Sequence, residues 1–245
     1  MKKYILNSLL FLVLLSIVFL VSCKKSKDPA PNPFSKANFI LKTYIDAEEL
    51  TWNSLNYFNE AGNKYDVTTL KFYISDISLF NGNTKKYTSS NVFYIDGKDL
   101  TKISFSLDSI PIDTYTKIEF SLGLVPTKNK SYSLPSTLDN NNMAWPDMMG
   151  GGYHFLKFEG HYLDTASINK GFAVHLGENA FLPLISINSI MNQNDGDHSY
   201  TLKFNLNEVF KNPYTYDFNY EKSNTMSDSL AKQLIKNNIT DAFSL

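Results

Sequence analysis

The stretch LKFYISDISLF, residues 70–80, constrains the fold most. Leu70, Phe72, Ile74 and Asp76 alternate with Lys71, Tyr73, Ser75 and Ile77, a period of two that suits a strand, whose successive side chains point to opposite faces. The apolar pattern changes parity at Asp76, which predicts an irregularity there. Asn81-Gly82 follows directly, and these two residue types readily adopt the positive φ angles of a tight hairpin turn. NEAGNKYDV, ahead of Thr68, reads as another turn. Runs rich in β-branched and aromatic residues predict further strands at 38–45, 50–58, 92–95, 103–107, 116–124, 181–191 and 199–206. Leu230, Leu234 and Ile239 recur at helical spacing behind Ser227 or Asp228 as N-cap, predicting one short helix near 229–237. With 14% aromatic residues and regular turn spacing, the expected fold is mainly β. It is an antiparallel β-sandwich-like single domain over residues 38–245 with a short C-terminal helix.

The front of the chain has a different character. Lys2 and Lys3 precede an apolar run over residues 4–21, which ends in Leu20-Val21-Ser22-Cys23. A basic start, an apolar middle and a small residue before cysteine make the processing signal of a bacterial lipoprotein. Residues 1–22 are therefore expected to be removed as a signal peptide, leaving lipidated Cys23 at the head of a flexible tether, residues 23–37, with three prolines. Several acyl chains on one cysteine anchor firmly, since each buried CH2 contributes about 0.8 kcal/mol. The expected location is the cell envelope, on a membrane. Lys24 stands where aspartate would favour inner-membrane retention, so the outer membrane is favoured.

Cys23 is the sole cysteine, so the domain keeps no thiol for disulfides, zinc or redox work. All 23 basic side chains are lysine, against 24 acidic ones. Without the guanidinium fork suited to bidentate phosphate and base-edge recognition, nucleic-acid binding is not expected.

The chemically unusual residues gather between Met143 and Gly177. MAWPDMMGGGYHFLKFEGHY and GFAVHLG hold three of the four histidines, three of the six methionines and one of the two tryptophans. Imidazole, thioether and indole together make a candidate soft-metal site, with copper first; the plain alternative is a hydrophobic loop over a sheet edge. Strand alternation sets Tyr153, Phe155, Lys157, Glu159 and His161 on one face, and His154, Leu156, Phe158 and Tyr162 on the other. Glu159 is thus expected to orient His161, and Gly160 is a candidate bulge that would let His154 and His161 approach each other. His175 closes an apolar strand, where an unpaired imidazole would cost roughly 1–3 kcal/mol. Asp195-Gly196-Asp197 lacks the loop-closing glutamate of an EF-hand, so a tight hairpin turn is expected there. The chain contains no G-x-S-x-G or H-E-x-x-H and no spare cysteine, and no enzymatic activity is expected.

These residues also carry a resemblance. Tyr57, Asn59, Gly62 and Tyr65 in a Y-x-N-x-x-G-x-x-Y turn, LKFYISDISL, SLGLVP, the two segments just quoted and a terminal NITDAF resemble, in order, the copper-binding, methanobactin-associated MbnP-like family. The resemblance implies a secreted or lipid-anchored β fold that binds copper through imidazoles beside a tryptophan oxidised to kynurenine, in some members by a di-haem, peroxidase-like partner. It matches Trp145 to the modified tryptophan and His175 to one ligand. The second family histidine belongs on the first strand, where FILKTYIDAEEL has Thr43 or Tyr44 instead. His154 and His161 are the candidates to replace it, and Met143, Met148 or Met149 would favour Cu(I). Copper capture or handover is the function implied. The alternative from another class is a non-metal surface module that binds a glycan or protein through exposed Trp52, Tyr132 and Trp145.

Overall fold

Residues 33–245 are described by the structure, a computed structural model. The signal peptide, Cys23 and the tether as far as residue 32 lie outside the described residues. The strands are β1 (Phe34–Ile45), β2 (Glu48–Glu49), β3 (Tyr57–Phe58), β4 (Lys64–Tyr65), β5 (Thr69–Asn81), β6 (Thr84–Asp96), β7 (Ser104–Pro111), β8 (Asp113–Leu122), β9 (Leu156–Leu163), β10 (Asn169–Leu176), β11 (Leu184–Gln193), β12 (Asp197–Asn205) and β13 (Phe243–Ser244). Among the described residues two α-helices accompany them, α1 (Leu138–Asn142) and α2 (Ser229–Asn238).

The strands form two sheets. The smaller runs β13-β12-β1-β2, with β7 also on β1; the larger runs β11-β8-β5-β9-β4-β3, with β6 on β5 and β10 on β9. β5 organises the larger sheet. β6 flanks one side of it, while β9 beside Thr69 to Phe72 and β8 beside Ile74 to Phe80 share the other. The predicted irregularity falls inside the stretch paired with β8. Asp76 has φ 51°, and the register slips there against both β6 and β8, which bends the strand locally. The Asn81-Gly82 turn closes the β5/β6 hairpin as expected.

Between the sheets lies an aromatic core. Phe72 and Phe120 of the larger sheet meet Phe204 and Phe243 of the smaller, with ring centroids of 5.8 Å for Phe72/Phe204 and 5.4 Å for Phe120/Phe243. All four are buried, and fully burying such a ring contributes roughly 1.5–3 kcal/mol. α2 forms where the helical spacing predicts it. Asp228 caps it by accepting a hydrogen bond from the amide of Ala231, and Ala231 and Ile235 are buried.

The mainly β, antiparallel expectation holds with one parallel pairing, β1 with β12. That pairing corrects the expected hairpin at 195–197. β11 lies on β8 in the larger sheet and β12 on β1 in the smaller, so Gly196, at φ 101°, turns the chain from one sheet to the other. The strand expected at 50–58 shrinks to Tyr57–Phe58. Ser54 and Asn56 hydrogen-bond to each other there, and such short polar side chains compete with strand pairing. β1 begins at Phe34, inside the segment read as tether.

Gly160 is no bulge. It pairs with Phe172 in unbroken register, and its missing side chain makes room: a Cβ would lie 2.1 Å from the Asp66 carbonyl oxygen and 2.8 Å from the Phe172 ring. Gly160→Ala should therefore destabilise the domain by about 3 kcal/mol in urea unfolding, because backbone and ring must both move. An unchanged midpoint would contradict this packing.

Candidate metal centre

Three glycines shape the loop that leads into β9. Gly150, Gly151 and Gly152 have φ of 101°, 67° and 88°. At Gly152 a Cβ would also fall 2.3 Å from the Asn129 amide oxygen, so only glycine fits. The loop is clipped shut by two backbone hydrogen bonds, from Trp145 N–H to the Gly152 carbonyl at 2.9 Å and from His154 N–H to the Met143 carbonyl at 2.7 Å. Within it, Trp145 donates Nε1–H to the Met149 carbonyl at 3.2 Å. Trp145 is 2% exposed. Its indole lies against Gly177, where a Cβ would come within 2.4 Å of the ring.

His154 and His175 meet beside that indole. The Trp145 and His154 rings stand 4.7 Å apart and the two imidazoles 5.0 Å apart at 90°. Each imidazole has one nitrogen fixed. Nδ1 of His154 lies 3.1 Å from the Met143 carbonyl, which can only accept, so this nitrogen carries the hydrogen. Nε2 of His175 lies 2.7 Å from Glu159 Oε1. The hydrogen bond from His175 holds the Glu159 carboxyl below its ordinary range, so the carboxylate also acts as acceptor. The opposite nitrogens, His154 Nε2 and His175 Nδ1, are buried and without a partner. Each therefore presents a bare lone pair, and neither can donate to the other. An imidazole with its outer N–H held by a carbonyl or carboxylate and its inner nitrogen free has the arrangement of a metal ligand.

His154 is kept neutral. Burial pushes its pKa down to about 3, the neighbouring Lys157 and His175 push the same way, and the ring's hydrogen bonds to the backbone of Met143 and Ala144 oppose them.

The other expected residues fall elsewhere. His161 is half-exposed and held by Asp66, through its backbone N–H at 2.7 Å and its Nδ1 at 3.1 Å. Glu159 therefore orients His175 and not His161. The predicted alternation holds along β9 but not before Leu156, so His154 is not confined to the face of Phe158 and Tyr162 and can reach His175. Met148 is exposed, and Met143 meets His154 through its carbonyl oxygen. Thr43 and Tyr44 lie on β1, in the other sheet. Trp145 is buried, which removes it from the exposed aromatics, while Tyr132 is 89% exposed. Among the described residues no three His, Cys, Asp or Glu side chains converge, which leaves the two imidazoles as the candidate donors.

Two partners escaped the sequence reading. Thr225 accepts the His175 N–H at 2.8 Å and donates to the His175 carbonyl at 2.7 Å. Lys232 of α2 reaches the face of Trp145. Neither has a local signal, since both lie fifty or more residues away in the chain.

Residues 35–227 match the family model for MbnP. The chain belongs to the MbnP family. Among solved structures it resembles MbnP from Methylosinus trichosporium, with a TM-score of 0.50 and 14% identity, covering 75% of this chain and 80% of that one. At that identity the likeness concerns the fold alone. No match was found among curated proteins.

The His154 environment gives this MbnP-family protein a defined acid sensitivity. The unfolded imidazole takes up its proton near its ordinary pKa of 6.5, the folded one only near 3. Within that window the unfolded chain holds the extra proton, so the stability present above 6.5 is lost as pH falls towards 3. Between about pH 7 and about pH 4.5 the wild type should lose roughly 2–3 kcal/mol more than His154→Phe in urea unfolding. Equal losses would show that His154 protonates freely in the fold.

Proposed function

We propose that this protein is an extracytoplasmic, lipid-anchored copper-binding protein that captures or hands on the metal. The observation that carries the reading is the pair of buried, partnerless nitrogens on adjacent imidazoles, His154 Nε2 and His175 Nδ1. Imidazole suits copper, and burying two unpaired nitrogens costs roughly 1–3 kcal/mol each unless something binds them. His154 and His175 would hold the metal, with Glu159 and the Met143 carbonyl fixing their tautomers. The metal would supply a soft centre that exchanges between donors. Trp145, packed against His154, takes the position of the family's oxidisable tryptophan, and a di-haem, peroxidase-like protein is the proposed partner for its conversion to kynurenine. Cys23 would carry the lipid on the outer membrane. His161, engaged by Asp66, takes no part.

A second reading, a surface module for a glycan or a protein, is favoured by a cleft of about 430 Å³ beside the loop. Tyr132, Tyr153, Asn140, Asn141 and Asp147 line it.

Copper titration of the mature domain separates the two. Wild type should bind one copper, His154→Ala and His175→Ala should each abolish stoichiometric binding, and His161→Ala should bind as wild type. Glu159→Gln should weaken binding roughly 10- to 100-fold, the effect of losing an orienting partner. A wild type that binds no copper would favour the surface module, and retained binding in His175→Ala would refute the donor assignment.

The anchor is tested separately. Cys23→Ser should abolish lipidation and leave residues 1–22 uncleaved, so that the protein is held only by its unprocessed apolar segment and no longer appears in the outer-membrane fraction. Unchanged fractionation would reject lipidation.

A further inference from the structure

Lys232 is the buried charge that the copper reading does not use. It sits on α2, is 3% exposed, and pairs with Glu178. Its ammonium lies 5.7 Å from the Trp145 ring centroid and 4.6 Å from that of Phe181. Glu178, a non-glycine residue, is held at φ 65°, and strain of that kind persists only where the surroundings over-determine it. The same indole packs against His154 and Gly177, so Trp145 is enclosed with a fixed cation over one side.

A cation near an indole face is attracted to its π electrons, and more strongly when desolvated. Removing an electron from that indole reverses the sign of the interaction, because the ring then carries positive charge beside the ammonium in a site of low dielectric. Proton loss after oxidation is poorly assisted as well. Nε1–H donates to the Met149 carbonyl, which accepts a hydrogen bond but does not take a proton.

We propose that Lys232 shields Trp145 from one-electron oxidation, so that the indole stays intact while the ammonium stands over it. Lys232 is thus a positioning residue that sets the reactivity of its neighbour. Trp52 offers a contrast within the same chain: Lys98 also lies 5.7 Å from its ring, but that lysine is exposed and its charge is screened by water. The inference bears on the oxidisable role given to Trp145 in the proposed function, and it stands without a bound metal.

The test uses the mature domain carrying Trp52→Phe, which leaves Trp145 as the one indole, and azide radical as oxidant. One electron passes from the indole to the radical, giving azide anion and an indole radical cation whose Nε1 proton goes to water. The readouts are the rate of indole loss by fluorescence and the mass of the Trp145 peptide. Lys232→Met keeps the length and burial of the side chain and removes the charge; it should oxidise roughly tenfold faster. Lys232→Gln carries the same expectation should the Met variant fail to fold. Glu178→Gln removes the counter-ion and leaves the ammonium, so it should oxidise no faster than the parent. A parent rate in the folded Lys232 variant, or a Glu178→Gln rate as high as that of Lys232→Met, would overturn the proposal by assigning the protection to packing. Copper titration of the same proteins reads the metal assignment independently: a parent that binds no copper while Lys232→Met still accelerates oxidation refutes only the copper reading.

Discussion

The antiparallel register that sets Leu176 opposite Leu156 decides where each group of the centre falls. It puts His175 opposite Lys157 and diagonal to Glu159, within reach of a 2.7 Å hydrogen bond. A slip of one residue would turn His175 into the core face of Phe158 and Phe172, since side chains alternate along a strand. The register is secured at three places. Asp164 closes the hairpin by accepting the N–H groups of Ala166 and Ile168, and the Phe155 N–H reaches the Leu176 carbonyl at 2.7 Å. On the outer side of β10, residues 223–225 take up the remaining backbone groups of Ala173 and His175. What would be a sheet edge is covered, and the imidazole is fixed along with it.

Much of this was legible in residues close together in the chain. The period of two in residues 70–80, its break at Asp76, the Asn81-Gly82 turn and the position of α2 all reappear, because each is decided by neighbours within one element, although Leu230 of the expected apolar spacing is exposed and Ala231 and Ile235 are buried instead. Pairings between distant elements were not. Nothing local distinguishes a strand that runs parallel to β12 from one that runs antiparallel, and nothing near Asp195 shows that its flanking strands join different sheets.

The centre divides along the same line. Trp145, His154 and His175 stood out as unusual residue types, and all three meet. Their hydrogen-bond partners did not stand out, because Glu159 was counted along its own strand, where His161 is two residues away, and not across the hairpin, where His175 is. Counting across from the turn at Asp164 would have found the pair. Thr225 and Lys232 are ordinary residues made important by chain topology, which composition does not record.

The donors come from one hairpin and the loop before it, which has a physical consequence. A histidine on β1 would have tied the centre to the smaller sheet and made its geometry depend on how the two sheets pack. Here both imidazoles belong to the larger sheet's side, at the head of β9 and the end of β10. The distance between them is set by backbone hydrogen bonds at Phe155 and Thr225, and not by the contact of rings across the core. Backbone ladders resist displacement better than a face of aromatic side chains that can each change rotamer. Lys232 is paired with Glu178 and His154 is neutral, so the space between the imidazoles is lined by their unpartnered nitrogens. Burying a cation there costs least when its charge is small and its partners are soft. Monovalent copper, the ion of the proposed function, would meet both conditions better than a hard divalent ion.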